Sequence, residues 1–443
     1  MRVSRVIDTP NRRSEYSAGG ASAGRVYNAT LGAIVVIYFL ALYYFRISDR
    51  TVKLDFGAFL KLDFGAFYTW AYAARIGLNP YSPDAVMPLA SRLGVRAVPA
   101  NYPPPFILAI EPLSLVPRIE AFWLWHGINL CLLLIAVWML VADSHPPQKR
   151  IAFACAALLY GPVTDALFWG QVEPFLLLML VIALRKSAAR RDIASGIAVG
   201  LAALCKIYPV VLLGYFLFSR RWTVVASAGL TILVGILLSI AAFGSELSVD
   251  FLHQISMTAG DKLWSNTLNA SLGAIVAKSL WLLAGHDYGL AMKVLRTALI
   301  VLAVSAVLLM TIRGTLSAKR RGDDSIGFGL WVAATVLLTP VVWPHHLTIL
   351  LIPLRLVIGD VRYKSGPAFR LAIFSYCAAE VELLLGWLRL GLWPHYYFPI
   401  QIATVWAILL AVLLAFCAAY AAAIGSLTFE PASARNEFEG TRN

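Results

Sequence analysis

Nine polar side chains lie at the ends of apolar runs in this chain: Asp63, Arg75, Gln171, Glu173, Lys206, Asn266, Asn269, His345 and His346. An ionisable group at membrane depth is unfavourable unless it has a task or a partner, so each of these invites a chemical reading. A carboxylate can take the proton of an attacking hydroxyl, while a lysine and histidines can stabilise a departing phosphate. Gathered on one side of a set of apolar helices, such groups suit chemistry on a polar substrate carried by a lipid phosphate.

Each residue also has a purely structural reading. Asp63 is a good helix N-cap, and Gln171 can cap the helix that begins near Pro174. Lys206 can snorkel to the headgroups, and Arg75 on an interfacial helix can face them. Asn266 and Asn269 suit turns, and His345–His346 after Pro344 suits a surface turn. A two-histidine metal site is weakly indicated: adjacent histidines ligate one ion poorly, and no Asp-x-Asp supplies oxygen ligands. Neither a metal nor a cofactor is expected.

The elements that must position these residues follow from the apolar pattern. Asp63 heads the stretch Asp-Phe-Gly-Ala-Phe-Tyr, which closes at Gly77-Leu-Asn-Pro-Tyr81. On a helix Phe64, Phe67, Tyr68 and Ala71 share one face, as expected of a helix lying at a membrane surface with its aromatic rings at headgroup level. An upstream copy, Lys53-Leu-Asp55-Phe-Gly-Ala-Phe, precedes Lys61-Leu-Asp63-Phe-Gly-Ala-Phe. Eight residues turn a helix by about 800°, placing the two aspartates roughly 80° apart, so they cannot serve one site. The proline-interrupted run from Tyr102 to Pro117 predicts a second short interfacial helix.

Composition sets the class. Of 443 residues, 60% are hydrophobic and 14% charged, against about 25% charged in soluble domains. The chain reads as all-α and polytopic, with about twelve transmembrane helices of the usual length and interfacial helices in the first outer loop. Expected boundaries are a cytoplasmic tail at 1–27, a transmembrane domain at 28–424 with the outer loop at 46–118, and a cytoplasmic tail at 425–443. The run 193–218 predicts two short helices meeting near Lys206-Ile-Tyr-Pro209. The net charge of +13 lies mainly in loops between apolar runs, where it sets topology. No nucleic-acid motif accompanies it. The five cysteines lie in apolar runs without a C-x-x-C pair, so no disulfide framework is indicated.

With Gly77-x-Asn-Pro-Tyr81 ending eighteen residues after Asp63, the chain resembles the family-87 glycosyltransferases of the C-type superfamily. These include bacterial polyprenyl-phosphate-mannose-dependent mannosyltransferases. Tyr102-Pro-Pro-Pro105, Gly170-Gln171, Lys206-x-x-Pro209, Ser265-Asn266 and Trp343-x-His345-His346 follow in family order. Glu173 departs from the pattern, standing where Asn is common, and the duplicated aspartate is unusual. The resemblance implies a multi-pass enzyme of the bacterial plasma (inner) membrane with its active site on the outer face. It moves a hexose, mannose by analogy, with inversion from a polyprenyl-phosphate donor to a lipid-linked or glycan acceptor. Asp63, picked out over Asp55 by its distance to Tyr81, is then the base. His345, His346 and Lys206 attend the phosphate, while Gln171, Arg75, Asn266, Asn269 and Tyr81 line the substrate. Two alternatives share the composition: a transporter or flippase of lipid-linked sugars, and a polymer ligase.

Overall fold

The computed structural model describes residues 63–95, 98–142, 147–258, 269, 271–284, 289–320 and 322–359, with the isolated positions Ala33 and Ile37. Among the described residues every regular element is helical. The expected spans at 28–45, 370–388 and 400–421, the first repeat copy with Asp55, and Asn266 lie outside the described residues.

Helix α1 (Asp63–Arg75) opens the described chain. A single apolar face was expected, but ten of its thirteen residues are buried. The cause is its immediate C-terminal neighbours: α2 (Pro83–Leu93), α3 (Pro104–Ile110), a 3-10 turn (Glu111–Leu115) and α4 (Arg118–Val141) fold around it. Gly65, Ala66, Ala71, Ala73 and Ala74 let these elements approach. The aromatic tips find backbone acceptors, Tyr68 on the Val116 carbonyl at 3.0 Å and Trp70 on that of Val98 at 2.8 Å. Buried aromatic polar atoms need such partners, so this helix is anchored in protein.

Among the described residues three helices are long and apolar enough to cross a membrane: α4, α10 (Trp222–Phe243) and α13 (Leu290–Arg320), of 24, 22 and 31 residues. Their apolar side chains are widely exposed, including Trp138, Leu237 and Leu302, as lipid-facing residues are. A fourth candidate is the pair α5 (Pro147–Leu159) and α6 (Gly161–Trp169), bent by 51° around Tyr160. Pro162, which lacks an N–H, starts the second half. The shorter helices are α7 (Glu173–Ala188), α8 (Asp192–Cys205), α9 (Leu213–Phe218) and α14 (Asp324–Leu337); α14 is buried along most of its length, while α8 leaves Ile193, Ile197 and Leu201 exposed. Between α10 and α13 lie α11 (Glu246–Thr258) and α12 (Leu272–Ala284), and α15 (Leu351–Gly359) ends the described chain.

The run 193–218 is divided as expected. Helix α8 stops at Cys205 and Lys206 is extended (φ −139°, ψ 142°) before the 3-10 turn Tyr208–Leu212. Pro209 has no N–H to carry the α-helical ladder on to the Cys205 carbonyl, and it is tolerated instead in the first turn of the 3-10 helix. Glycines bring α8 close to α10: a Cβ on Gly200 would lie 2.7 Å from Thr231 Cβ, and one on Gly196 would overlap Ser227. Small residues at a four-residue interval permit this contact, and it fixes where the end of α8 delivers Lys206.

Candidate functional site

Four segment ends converge. The first is the start of α1, carrying Asp63. The second is the turn Gly170–Gln171 between α6 and α7, where Gly170 has φ +69°. A Cβ there would meet both His126 Cε1 and Phe64 Cβ at 3.1 Å, so the left-handed turn and the tight packing both call for glycine. Pro174 in the first turn of α7 sets Glu173 at that helix's start. The third is the break at Lys206. The fourth is the 3-10 turn Pro344–Leu350, carrying His345 and His346.

Gln171 joins base to cation. Its amide nitrogen donates to Asp63 Oδ2, while its oxygen accepts from Tyr102 Oη at 2.8 Å and Lys206 Nζ at 3.5 Å. Both partners of the oxygen are donors and the partner of the nitrogen is an acceptor, which fixes the amide's orientation. Lys206 spreads its three N–H bonds over Gln171, Glu173 Oε1 at 2.6 Å and His346 Nε2 at 3.2 Å. Glu173 is fully buried and Lys206 nearly so; each charge is held in the interior by the other. Tyr102 lies under the lysine, with Nζ 5.1 Å from its ring centroid.

Electrostatics sets the protonation states. Burial first, and then Glu173, pushes the Tyr102 phenol well above its ordinary range, so it stays neutral and donates to Gln171. His346 sits in a connecting turn outside the three long apolar helices. Burial, followed by Lys206 and His345, holds its imidazole well below the ordinary range. Neutral, it offers Nε2 as an acceptor to the ammonium. The ring bonds the Val341 carbonyl, while its Nδ1 lies 3.4 Å from the Trp343 amide N–H. Only one of these two contacts suits a protonated Nδ1, and the carbonyl is the better match for the tautomer that Lys206 requires.

His345 takes a different partner. Its Nδ1 faces Asp165 Oδ2 at 3.4 Å, and Asp165 Oδ1 accepts from Trp169 at 3.1 Å. Glu173, His345 and His346 present ligand atoms all within 4.8 Å of one another, the one such group of three among the described residues. The Lys206 ammonium already lies against two of the three, occupying by charge and position much of what a metal ion would use.

The other expected residues are distributed unevenly. Tyr81 is one step removed: its hydroxyl donates to the Tyr102 carbonyl at 2.7 Å, behind the ring that meets Gln171. Asn79 in the same turn donates to Asp250 Oδ2 at 2.6 Å. Asn269 is wholly buried and bonds backbone, accepting from Val342 N–H at 3.0 Å and donating to the Pro340 carbonyl at 3.3 Å. It holds the approach to the histidine turn. Arg75 is exposed at the far end of α1, over the Tyr72 ring. Twelve helical residues separate it from Asp63 by roughly 18 Å, so the structure does not bring it to this cluster. Two participants were missing from the sequence-derived site, Tyr102 and Asp165. Asp165 carried a signal, an acid at the end of an apolar run; Tyr102 showed only as part of a proline motif.

One family model and three relatives show what the sequence is similar to. The family model for Glycosyltransferase family 87 matches residues 101–344, more than half of the chain. A polyprenol-phosphate-mannose-dependent alpha-(1-2)-phosphatidylinositol pentamannoside mannosyltransferase of Mycolicibacterium smegmatis is 28% identical over 269 residues. The match covers 58% of this chain and 60% of that relative's length. The protein of the same description from Mycobacterium tuberculosis is 23% identical over 305 residues, 67% of each chain. An alpha-(1->3)-arabinofuranosyltransferase of Mycobacterium tuberculosis is 24% identical over 326 residues, 70% of each.

Proposed function

From the premise that this chain belongs to glycosyltransferase family 87, we propose that it is a membrane hexosyltransferase that uses a polyprenyl-phosphate sugar, mannose in the first instance. The acceptor is a lipid-linked or glycan hydroxyl. The observation that carries this reading is the bonded path Asp63–Gln171–Lys206, which couples a half-buried carboxylate to a buried ammonium. Asp63 takes the acceptor's proton as its oxygen attacks the anomeric carbon from the face opposite the phosphate, inverting it. The C–O bond to phosphate breaks, and Lys206 stabilises the charge left on the phosphate oxygen. His346, neutral, completes the hydrogen bonding around that cation, and His345 is the second histidine on the same turn.

In this proposal about twelve spans of the usual length place the site on the outer face of the bacterial plasma membrane. The tails 1–27 and 425–443 are cytoplasmic, and 28–424 form the transferase domain with the outer loop at 46–118. Asn266, Asn269, Tyr81 and Arg75 remain candidates for substrate contact, Arg75 only by meeting a part of the acceptor distant from the reacting atoms. No nucleic acid is involved. The arabinofuranosyltransferase relative favours a second reading in which the transferred group is a pentofuranose.

The test is release of polyprenyl phosphate from a panel of polyprenyl-phosphate sugars by the purified protein. Transfer with acceptor supports the proposal, whereas movement of intact lipid-linked sugar without release points to a flippase. The Asp63→Asn variant should fold normally and lose about 10²–10⁴-fold in rate, the usual contribution of a general base. The same assay separates the repeat: Asp55→Ala should be nearly silent.

A further inference from the structure

Buried polar atoms without a hydrogen-bond partner are unfavourable by about 1–3 kcal/mol each, so proteins keep them few. Among the described residues eight side-chain nitrogen or oxygen atoms are in this condition. Four belong to Asp165, Glu173, Tyr208 and His345; Glu173 meets Lys206, the Tyr208 ring lies by His346, and Asp165 faces His345. Glu173 Oε1 bonds Lys206, but its Oε2 has no partner. The Tyr208 ring lies 5.3 Å from the His346 ring, centroid to centroid, and His346 Nε2 lies 3.7 Å from Glu173 Oε1. Asp165 Oδ2 and His345 Nδ1 face each other at 3.4 Å without a hydrogen bond.

Asp165 and His345 can serve each other, so the chemistry of Glu173 Oε2 and Tyr208 Oη narrows what else belongs here. A carboxylate oxygen and a phenol make a set rich in acceptors with one donor, the charge of Glu173 being already matched by Lys206. A phosphate would find only the phenol as a donor in it and is better served on the Lys206 side. A polyol is matched, since each hydroxyl can donate to a carboxylate while accepting from a phenol. The geometry points to Glu173 and Tyr208 as a sugar-reading subsite beside Lys206, bonding ring hydroxyls of the transferred glycosyl group through Glu173 Oε2 and Tyr208 Oη. Glu173 thereby has two tasks, one oxygen on the lysine that meets the phosphate and the other on the sugar. This inference rests on the glycosyltransferase reading of the same site.

The experiment compares polyprenyl-phosphate hexoses with their monodeoxy analogues, using wild-type protein, Tyr208→Phe and Glu173→Gln. At one ring position or more the wild type should prefer the hydroxylated donor by roughly 10- to 100-fold in kcat/KM, as a lost bond to a charged group implies. In at least one variant that preference should fall to within about threefold, with KM rising more than kcat falls, the coupling expected of groups in contact. Tyr208→Phe removes only a hydroxyl and keeps the packing, so it serves if Glu173→Gln fails to fold. An unchanged preference in the folded variants overturns the inference and leaves Glu173 Oε2 and Tyr208 Oη to water. Absence of turnover with every donor overturns the transferase reading instead. The subsite is then tested by thermal shift with hexose 1-phosphates: a shift lost in Tyr208→Phe supports it, and equal shifts or none overturn it.

Discussion

Helix α8 has an ion pair at each end, half-buried at its start and buried at its finish, and the two are built differently. At its start, Arg221 donates through Nη1 to the Ser187 carbonyl at 2.9 Å and to the Ser187 hydroxyl. Through Nη2 and Nε it meets both oxygens of Asp192. None of these side chains has an unpartnered buried atom. At the other end, Lys206 meets Glu173, Gln171 and His346, and Glu173 Oε2 and the Tyr208 hydroxyl beside them have no hydrogen-bond partner. Fourteen residues separate the two ends, roughly 21 Å of helix. The first pair is a staple joining α7, α8 and α10, complete in itself. The second is incomplete without something else, and leftover hydrogen-bonding capacity is what separates a site from a support.

This contrast is broken most directly at Lys206. Lys206→Ala strands Glu173 in the interior, and removal of one partner from a buried pair is worth about 3–5 kcal/mol. Thermal or denaturant melting in detergent should register that loss, with transfer abolished. Replacing both partners by apolar groups, Lys206→Met with Glu173→Leu, should recover most of the stability and none of the activity. A double variant that transfers sugar would make the pair a mere staple.

At the opposite end, Arg221→Met should weaken the fold by about 1.5–3 kcal/mol, the range for hydrogen bonds to charged groups. The effect is smaller than at Lys206 because the Asp192 side chain is 27% exposed and keeps access to water, whereas that of Glu173 is 0% exposed. Turnover per folded molecule should be unchanged. A selective fall in kcat with normal melting would erase the distinction between the two ends.

The smallest effect belongs to Arg190, beside the staple. It adopts φ 56° and pairs at 3.4 Å with Asp324, both side chains exposed. A left-handed residue with a side chain is strained by roughly 1–2 kcal/mol. Arg190→Gly relieves this but loses a surface pair of about 0–1 kcal/mol and gains unfolded-state entropy of about 0.5–1 kcal/mol. The terms nearly cancel, so stability should move by less than about 0.5 kcal/mol.

By itself the sequence determined what depends on a few neighbouring residues. The apolar runs, the helix beginning at Asp63, the glycine turn at Gly170 and the break at Lys206 before Pro209 each arise from local chemistry. So does the family, through the ordered motifs. Only the tertiary structure decided who meets whom. Asp63 and Gln171 are 108 positions apart, and Lys206 and His346 are 140 apart. It separated Arg75 from the base at the other end of one helix, turned Asn269 to backbone support, and added Tyr102 and Asp165 to the cluster. It also enclosed α1 where one apolar face had been expected. In helices that are apolar nearly all round, hydrophobic periodicity does not say which face meets protein and which meets lipid. That choice rests on close packing of small residues, as between Gly200 and Thr231, and packing is a property of two segments at once, beyond what either shows alone.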